Sequence, residues 1–175
     1  MSRRAGFTLV ELLVAMSIIT LLIGIALPAL SYARASAQRS RCLSNLRQLG
    51  VAMEAYRHDH DDLLPVALSL PVDAYSASIV ELMEPYLASG QAWRCPSDAD
   101  GLHADYGVSY EYLLGYYLLG APTPAEQRRI VRSFERMPEL AFVLADAEGW
   151  HRGGPGGGGR NALFIDGRAD WFALP

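Results

Sequence analysis

The sequence predicts an α+β protein in which one long N-terminal helix packs on a small antiparallel β-sheet. Three patterns support this class: an apolar run with a single charge over residues 7–30, an apolar stripe at helical spacing over residues 42–56, and an Asp166-Gly167 pair between two strand-like segments. A chain of 175 residues has room for roughly one domain of about 100 to 200 residues. We therefore expect an anchor segment followed by one small domain.

The apolar run is long enough to cross a membrane. At about 1.5 Å of rise per residue, a helix over residues 7–30 reaches roughly 36 Å, against about 30 Å of hydrocarbon. Arg3 and Arg4 precede the run, so the positive-inside tendency puts the N-terminus in the cytoplasm and the domain outside it. A signal peptide cleaved at residues 33–35 and a plain anchor are simpler readings, but neither explains the acid Glu11 inside the run.

The leader RRAGFTLVELLV, residues 3–14, resembles the start of type IV pilins and type II secretion pseudopilins. The resemblance implies that a prepilin peptidase cleaves after Gly6 and methylates the new amine of Phe7. It also implies that Glu11 is the assembly glutamate of the family and Pro28 its helix-bending proline. The partners it implies are identical or homologous pilin subunits, the prepilin peptidase, an inner-membrane assembly platform and the lipid bilayer.

Physical chemistry gives a reason for the glutamate. A carboxylate and an amine are each unfavourable alone in hydrocarbon. If helices pack side by side with an axial offset, Glu11 of one subunit meets the Phe7 amine of a neighbour, and the pairing favours one register. Pro28 lacks a backbone donor, so we expect a kink or a loosened helix there. A helix that simply ends at Pro28 is the alternative.

Four segments follow from these patterns: a leader peptide at residues 1–6, a membrane-spanning assembly helix at 7–30, an amphipathic helix half with its exit loop at 31–62, and a globular α+β domain at 63–175. The helix is expected to run to near Arg57. Its apolar stripe consists of Cys42, Leu46, Leu49, Met53 and Tyr56.

The domain shows several local signals. Thr123, Pro124 and Glu126 form a capping-box pattern that predicts a helix ending by Met137. The Asp166-Gly167 pair predicts a hairpin with a two-residue type I′ turn. The remaining expectations are a short helix over residues 75–87 capped by Ser76 or Ser78, strands over 106–119 and 140–145, and a flexible glycine-rich loop over 149–159.

Candidate ligands are few. Cys42 and Cys95 form either one disulfide or two small buried thiols. The polar residues 58–62 are expected to form a solvated loop after the helix and not a metal site. Asp98, Asp100 and Asp105 make one loop acidic, and calcium is an alternative reading of that loop because related pseudopilins bind it. No catalytic group and no other metal site are predicted. Hydrolysis by residues 58–62, or by His151 with Asp146, is an alternative that we do not favour, because the sequence shows no nucleophile with a base and an orienting group.

A second resemblance involves CPSD at residues 95–98 and NALFIDG at residues 161–167. These segments are similar to a pseudopilin-like branch that ends in His, nine residues and then Asp-Gly. The tenth position before Asp166 is Gly156, and the nearest histidine is His151. The motif is therefore degenerate, and no role is carried over to the histidine.

These observations predict a structural subunit, a pilin or pseudopilin of a type II secretion pseudopilus or a type IV pilus-like filament, and not an enzyme. The alternative is a minor or tip subunit that binds a secreted substrate or a surface. A formal net charge of −4 argues against a nucleic-acid partner. The expected location is the bacterial inner membrane, with a single span, a cytoplasmic N-terminus and an extracytoplasmic domain, and the filament after assembly.

Overall fold

The computed structural model describes residues 8–69, 77–151 and 159–172. Its internal contacts divide the chain into two units, residues 1–37 and residues 38–175. The predicted α+β class is confirmed, because a long N-terminal helix and a four-stranded antiparallel sheet are both present.

The helices are α1 (Leu9–Asp59), α2 (Ile79–Met83), α3 (Leu102–Tyr106), α4 (Leu113–Leu119) and α5 (Pro124–Glu135), with 3₁₀ turns at Glu84–Tyr86 and Gly90–Trp93. The strands are β1 (Tyr110–Tyr112), β2 (Phe142–Asp146), β3 (Arg160–Phe164) and β4 (Ala169–Phe172). The sheet order is β1-β2-β3-β4 and every pair is antiparallel, so neighbours along the chain are also neighbours in the sheet.

The first part of α1 is exposed and apolar. Residues 8–30 are all exposed, and by length and composition the helix is able to cross a membrane. Its few hydroxyl groups are satisfied within the helix: Ser17 Oγ donates to the carbonyl of Leu13 at 2.8 Å, and Thr20 Oγ1 donates to the carbonyl of Met16 at 2.8 Å. The segment therefore offers apolar side chains for contact with lipid or with other helices.

Helix α1 continues through Pro28, so the alternative in which the helix ends there is wrong. A proline in the helix interior withholds the hydrogen bond that the carbonyl four residues earlier, that of Gly24, would receive. Ser31 Oγ donates to the Pro28 carbonyl at 2.8 Å. Residues 33–35, the alternative cleavage site, lie inside the same helix.

The second part of α1 buries the predicted stripe. Cys42, Leu46, Leu49 and Met53 are buried, and Tyr56 is half-buried. They join one core with side chains of the 3₁₀ turns, α4 and the sheet, including Trp93, Tyr110, Tyr112, Leu114, Leu118, Leu144 and Leu163. The amphipathic reading of this half is thus confirmed.

Helix α1 ends within the polar segment 58–62. The carbonyl of Arg57 accepts hydrogen bonds from the backbone nitrogens of His60 at 3.2 Å and Asp62 at 2.9 Å. Asp61 and Asp62 have φ angles of 51° and 62°, the left-handed conformation in which helices commonly end. The polar residues therefore terminate the helix.

The prediction of strands over residues 106–119 is largely wrong. Only Tyr110–Tyr112 is a strand, and α4 follows it directly. Leu114 and Leu118 are buried one helical turn apart, whereas Tyr116 and Tyr117 are exposed. Tyrosine and leucine fit either structure, so tertiary packing decided between them.

The helix starts predicted from capping residues agree with the structure better than the strands predicted over residues 106–119. Ser78 caps α2, while residues 70–76, including Ser76, lie outside the described residues. At α5, Thr123 and Glu126 form the predicted capping box with hydrogen bonds in both directions, and the helix ends at Glu135. The strand predicted over 140–145 is β2, shifted by about two residues.

The hairpin between β3 and β4 is confirmed, but its turn type differs from the prediction. The backbone nitrogen of Gly167 donates to the carbonyl of Phe164 at 3.0 Å, and that of Phe164 donates to the carbonyl of Arg168 at 2.8 Å. Gly167 has a φ angle of 81°, and Asp166 is not among the residues with positive φ. This is a three-residue loop with glycine in the left-handed position, since a type I′ turn needs positive φ at both central residues.

Candidate functional site

The N-terminal end of α1 is closed by Thr8 and Glu11. Glu11 Oε2 accepts hydrogen bonds from the backbone nitrogen of Thr8 at 2.9 Å and from its hydroxyl at 2.7 Å. In return, Thr8 Oγ1 accepts from the backbone nitrogen of Glu11 at 3.2 Å. This reciprocal pair is a capping box, which satisfies donors that the first helical turn leaves free.

The capping box places the Glu11 carboxylate at the start of an exposed apolar helix. Gly6 and Phe7, the predicted processing residues, lie outside the described residues. Pro28 lies on the same helix inside the apolar run. The structure thus gives Glu11 a local role as a helix cap. This role was not predicted, although Thr8 and Glu11 have the sequence spacing of a capping box.

In the second unit, Cys42 and Cys95 form a disulfide with a Cα–Cα distance of 5.1 Å. Cys42 lies on the buried side of α1, and Cys95 follows the 3₁₀ turn Gly90–Trp93. The segment around Cys95 is also tied to α1 by side chains: Asn45 Nδ2 donates to the carbonyl of Arg94 at 2.7 Å, and Gln38 Nε2 donates to that of Pro96 at 3.4 Å. The disulfide therefore joins two segments that are already held together.

Beside the disulfide lies a buried pair, Asp146 and His151. Asp146 is the last residue of β2, and His151 forms an isolated bridge with Gly159. His151 Nε2 is 3.1 Å from Asp146 Oδ2 and 3.5 Å from Cys95 Sγ. The exposed fractions are 0% for Asp146 and 3% for His151. A carboxyl group and an imidazole are thus buried beside the disulfide.

The Asp146 carboxylate is held from the neighbouring strand. Its Oδ2 accepts hydrogen bonds from the backbone nitrogen of Asn161 at 2.6 Å and from Asn161 Nδ2 at 3.1 Å. Within the described residues, its Oδ1 has no hydrogen-bond partner. Across the sheet, Tyr110 pairs with Asp146 in register, and burial, followed by the Asp146 charge, raises the pKa of its hydroxyl well above the usual range.

Asp98 organises the loop before α3. Its carboxylate accepts hydrogen bonds from the backbone nitrogens of Gly101 at 2.8 Å, Leu102 at 3.1 Å and His103 at 2.8 Å, and from Ser109 Oγ at 2.7 Å. Partial burial pushes the pKa of Asp98 upward, but the four hydrogen bonds outweigh it and hold the pKa below its ordinary value. The carboxylate is charged and fully engaged in the loop.

The three acids considered for calcium point to different partners. Asp98 binds its own loop, Asp100 Oδ2 accepts from Trp150 Nε1 at 2.6 Å, and Asp105 is exposed on α3. In the described part of the chain, these acids do not form a group of converging ligand atoms, whereas Cys42, Cys95, Asp146 and His151 do. Calcium binding stays an alternative with no structural support in this loop.

The group was not predicted as one four-residue site, because its members come from four separate segments. The sequence signals were an acid at the end of the apolar strand FVLAD and a histidine five residues later. An acid at that position is unusual in a buried strand, since a charged side chain is rarely fully buried unless it is paired. That pattern alone does not show which residues it meets.

The chain matches one protein family over its N-terminal region and is similar to two curated relatives. Residues 1–27 match the family described as "Prokaryotic N-terminal methylation motif". The chain is 33% identical to the ComG operon protein 3 homolog of Bacillus licheniformis over 70 residues, which is 40% of this chain and 72% of that relative. It is 37% identical to competence protein ComGC of Halalkalibacterium halodurans over 60 residues, or 34% of this chain and 59% of the relative. No solved structure matches the chain significantly.

The similarity agrees with the architecture described above. The methylation motif spans the leader and most of the exposed apolar helix, and the identity to the first relative extends over 72% of its length. A long apolar N-terminal helix and a small antiparallel sheet complete the pattern. The chain therefore belongs to the family of type IV pilin-like proteins.

Proposed function

We propose that this protein is a filament subunit that is held in the inner membrane by the first part of α1, processed by a prepilin peptidase and assembled through that same helix. Cleavage after Gly6 and methylation of Phe7 would create the mature N-terminus. The single observation that carries the proposal is the methylation motif over residues 1–27, which includes most of the exposed part of α1, residues 9–30.

Burial of that exposed surface drives assembly in this proposal. Apolar side chains in the lipid are covered by other subunits in the filament, and the Glu11 carboxylate needs a positive partner in the same environment. The methylated amine of Phe7 in a neighbouring subunit is that partner. The capping box with Thr8 holds the carboxylate at the end of the helix, where an amine from an axially offset neighbour can reach it.

The segment boundaries belong to the same proposal. Residues 1–6 are the leader, 7–30 the assembly helix, 31–62 the amphipathic half with the helix end, and 63–175 the globular domain. The N-terminus lies in the cytoplasm and the domain outside it, because Arg3 and Arg4 precede the apolar run.

Two machines fit such a subunit, a type II secretion pseudopilus and a type IV pilus-like filament. One relative is named as a competence protein and the other as a ComG operon protein 3 homolog, and we therefore favour a pilus-like filament of the competence type. The relatives match only 40% and 34% of this chain. The remainder of the domain is where the filament's specific contacts are expected.

A minor or tip subunit with a binding role is the second candidate, and one surface favours it. A shallow depression beside α5 is lined by Arg128, Arg129 and Arg132 of the helix and by Arg136 just after it. The chain as a whole carries a formal net charge of −4, so this basic patch is a local feature suited to an acidic substrate or surface. Copy number separates the candidates: many copies along a filament support a major subunit, and one copy at its end supports a tip subunit.

Mass spectrometry of the protein extracted from membranes tests the main proposal. We expect the chain to begin at a methylated Phe7. A start at Met1 in a strain with active peptidase, or a start after Ala35, would rule the proposal out.

Glu11→Ala should leave cleavage and membrane insertion intact and abolish recovery of filaments. Glu139→Ala, which removes an exposed acid of the domain, is the matched control and should assemble normally.

A further inference from the structure

The proposed filament assembly does not involve the buried group Cys42, Cys95, Asp146 and His151. One ligand atom from each residue lies within 4.8 Å of the other three. All four residues are buried, with exposed fractions of 0%, 1%, 0% and 3%. Two sulfurs, one imidazole nitrogen and one carboxylate oxygen thus converge in the interior of the second unit.

The electrostatics of this group favour a cation. A fully buried carboxylate is unfavourable by several kcal/mol unless a partner compensates its charge. The ion-pair partner that the structure gives Asp146 is His151, which carries a charge only when it is protonated. Within the described residues, Asp146 Oδ1 lacks a hydrogen-bond partner altogether. Asp146 Oδ2 thus has hydrogen-bond partners, whereas Oδ1 has none among the described residues.

The geometry is close to that of a tetrahedral metal site. Zinc binds sulfur at about 2.3 Å and nitrogen or oxygen at about 2.0 to 2.2 Å, so its ligand atoms lie roughly 3.3 to 3.8 Å apart. His151 Nε2 is 3.1 Å from Asp146 Oδ2 and 3.5 Å from Cys95 Sγ. Two of the required separations are thus nearly in place in the disulfide form.

The supporting contacts also fit. Carboxylate ligands of metals are normally held by further hydrogen bonds, and Asn161 donates two to Asp146 Oδ2. His151 is fixed by backbone hydrogen bonds with Gly159 in both directions, at 3.3 Å and 3.0 Å. Asn45 holds the segment next to Cys95 through the carbonyl of Arg94. A mixed set of two thiolates, imidazole and carboxylate suits zinc and similar divalent transition metals better than calcium or magnesium.

We propose that reduction of the Cys42–Cys95 disulfide converts this group into a buried binding site for one zinc ion or a similar divalent transition metal. A dithiol reductant supplies two electrons and two protons. The S–S bond between Cys42 and Cys95 breaks and two protein thiols form, while the reductant is oxidised to its own disulfide. The metal then displaces one proton from each thiol. It is bound by the two thiolates, by Nε2 of His151 and by a carboxylate oxygen of Asp146. The disulfide and the metal exclude each other, so occupancy of the site by the metal depends on the redox state of the two cysteines.

The test uses the full-length chain in detergent micelles, reduced under nitrogen with a phosphine reagent, and Zn²⁺ or Co²⁺ alone as the probe. We expect the reduced protein to retain one equivalent of metal after desalting and the oxidised protein to retain none. Co²⁺ should give the visible absorption of a tetrahedral thiolate site. A reduced, folded protein that retains no metal would overturn the proposal, and so would a disulfide that cannot be reduced while the chain stays folded.

Two variants locate the site. His151→Gln should weaken metal binding at least tenfold, the effect expected for loss of a ligand, whereas His58→Gln, at an exposed position on the end of α1, should bind as the wild type does. Equal binding by both variants would show that the metal is bound elsewhere.

A measurement on the wild type alone covers the case in which His151→Gln does not fold. Zn²⁺ should slow alkylation of Cys42 and Cys95 in the reduced protein at least tenfold, as followed by intact mass. An unchanged alkylation rate would mean that the thiolates do not bind the metal, whatever the variants show.

Discussion

Thr8 and Glu11 hold each other at the start of α1: the Glu11 carboxylate accepts from the Thr8 backbone nitrogen at 2.9 Å and from its hydroxyl at 2.7 Å. The same device opens α5, where Thr123 and Glu126 form a second capping box. At α5 the box lies on an exposed surface and serves the helix alone. At α1 the carboxylate also lies in the exposed apolar segment. Mutation can therefore separate its role as a helix cap from its proposed role in pairing between subunits.

The first prediction distinguishes helix capping by Glu11 from pairing between subunits. Thr8→Ala removes the cap hydroxyl but leaves the Glu11 charge, so we expect filament yield within a few-fold of the wild type. Glu11→Ala removes the charge together with the two hydrogen bonds that the carboxylate accepts from Thr8 and should abolish filaments. The measurement is the amount of subunit recovered in the sheared filament fraction, relative to the amount in the membrane. If Thr8→Ala abolishes filaments as completely as Glu11→Ala, the cap and not the charge is what assembly requires.

The second prediction concerns the disulfide. Closing a loop between residues 53 positions apart restricts the unfolded chain by about 4 kcal/mol in the chain-entropy model. We expect the Cys42→Ala/Cys95→Ala double variant to lose stability of that order. Trp93 is buried in the same core, so its fluorescence during urea unfolding of the full chain in detergent follows the loss.

The reduced wild type is the matched control for the double variant. In metal-free buffer, both proteins should unfold at similar urea concentrations, well below that of the oxidised protein. If reduction leaves the unfolding midpoint unchanged, the disulfide does not stabilise the domain.

Local signals in the sequence were enough to predict α1, the capping box of α5 and the hairpin of β3 and β4. Each depends on residues a few positions apart: a helical stripe, Thr123 with Glu126, and a glycine in the turn. Even there, the exact turn required tertiary information, because the register of β3 on β4 sets the loop at three residues.

Nonlocal contacts explain what the sequence did not reveal. α4 is helical because Leu114 and Leu118 both reach the core from one side of a helix, although its tyrosines and leucines also suit a strand. The group around Asp146 brings together α1, the segment at Cys95, the end of β2 and His151. One sequence gives no distance between such segments, so the convergence of all four residues appears only in the folded structure.

The third prediction concerns Asp98. The Asp98 carboxylate accepts four hydrogen bonds. Asp98→Asn should lower the free energy of unfolding by about 1 to 3 kcal/mol at pH 7, because hydrogen bonds to a charged acceptor are stronger and an amide nitrogen cannot accept them. Asp105→Asn, at an exposed position on α3, should change stability by less than about 0.5 kcal/mol. Urea unfolding followed by tryptophan fluorescence measures both.

The pH dependence of the same residue has a definite sign. The pKa of Asp98 is lower in the folded protein than its ordinary value of 3.8. The contribution of its charge to the free energy of unfolding is therefore complete above the ordinary pKa and is lost as the pH falls from there toward the folded pKa. The stability difference between wild type and Asp98→Asn should therefore shrink below about pH 4. A difference that stays constant down to acid unfolding would show that the charge of Asp98 is not what stabilises the loop.

The fourth prediction concerns the packing of α4. A Cβ atom at Gly115 would collide with the carbonyl oxygen of Ala67 and lie 2.6 Å from Cδ1 of Tyr112. Tyr112 is fully buried, and its hydroxyl donates to the carbonyl of Pro65 at 3.0 Å, so neither neighbour moves freely. Gly115→Ala should lower the free energy of unfolding by about 1 to 3 kcal/mol, the usual effect of overpacking a core.

Gly120→Ala is the control for that substitution because it lies just past the end of the same helix. Gly120 has a φ angle of −80°, which alanine adopts readily, and the nearest heavy atom to an added Cβ is the carbonyl oxygen of Tyr117 at 3.6 Å. Its stability should stay within about 0.5 kcal/mol of the wild type. If Gly115→Ala is equally neutral, α4 does not pack against the segment at Ala67 as closely as described, and the helical assignment of residues 113–119 would lose its main tertiary support.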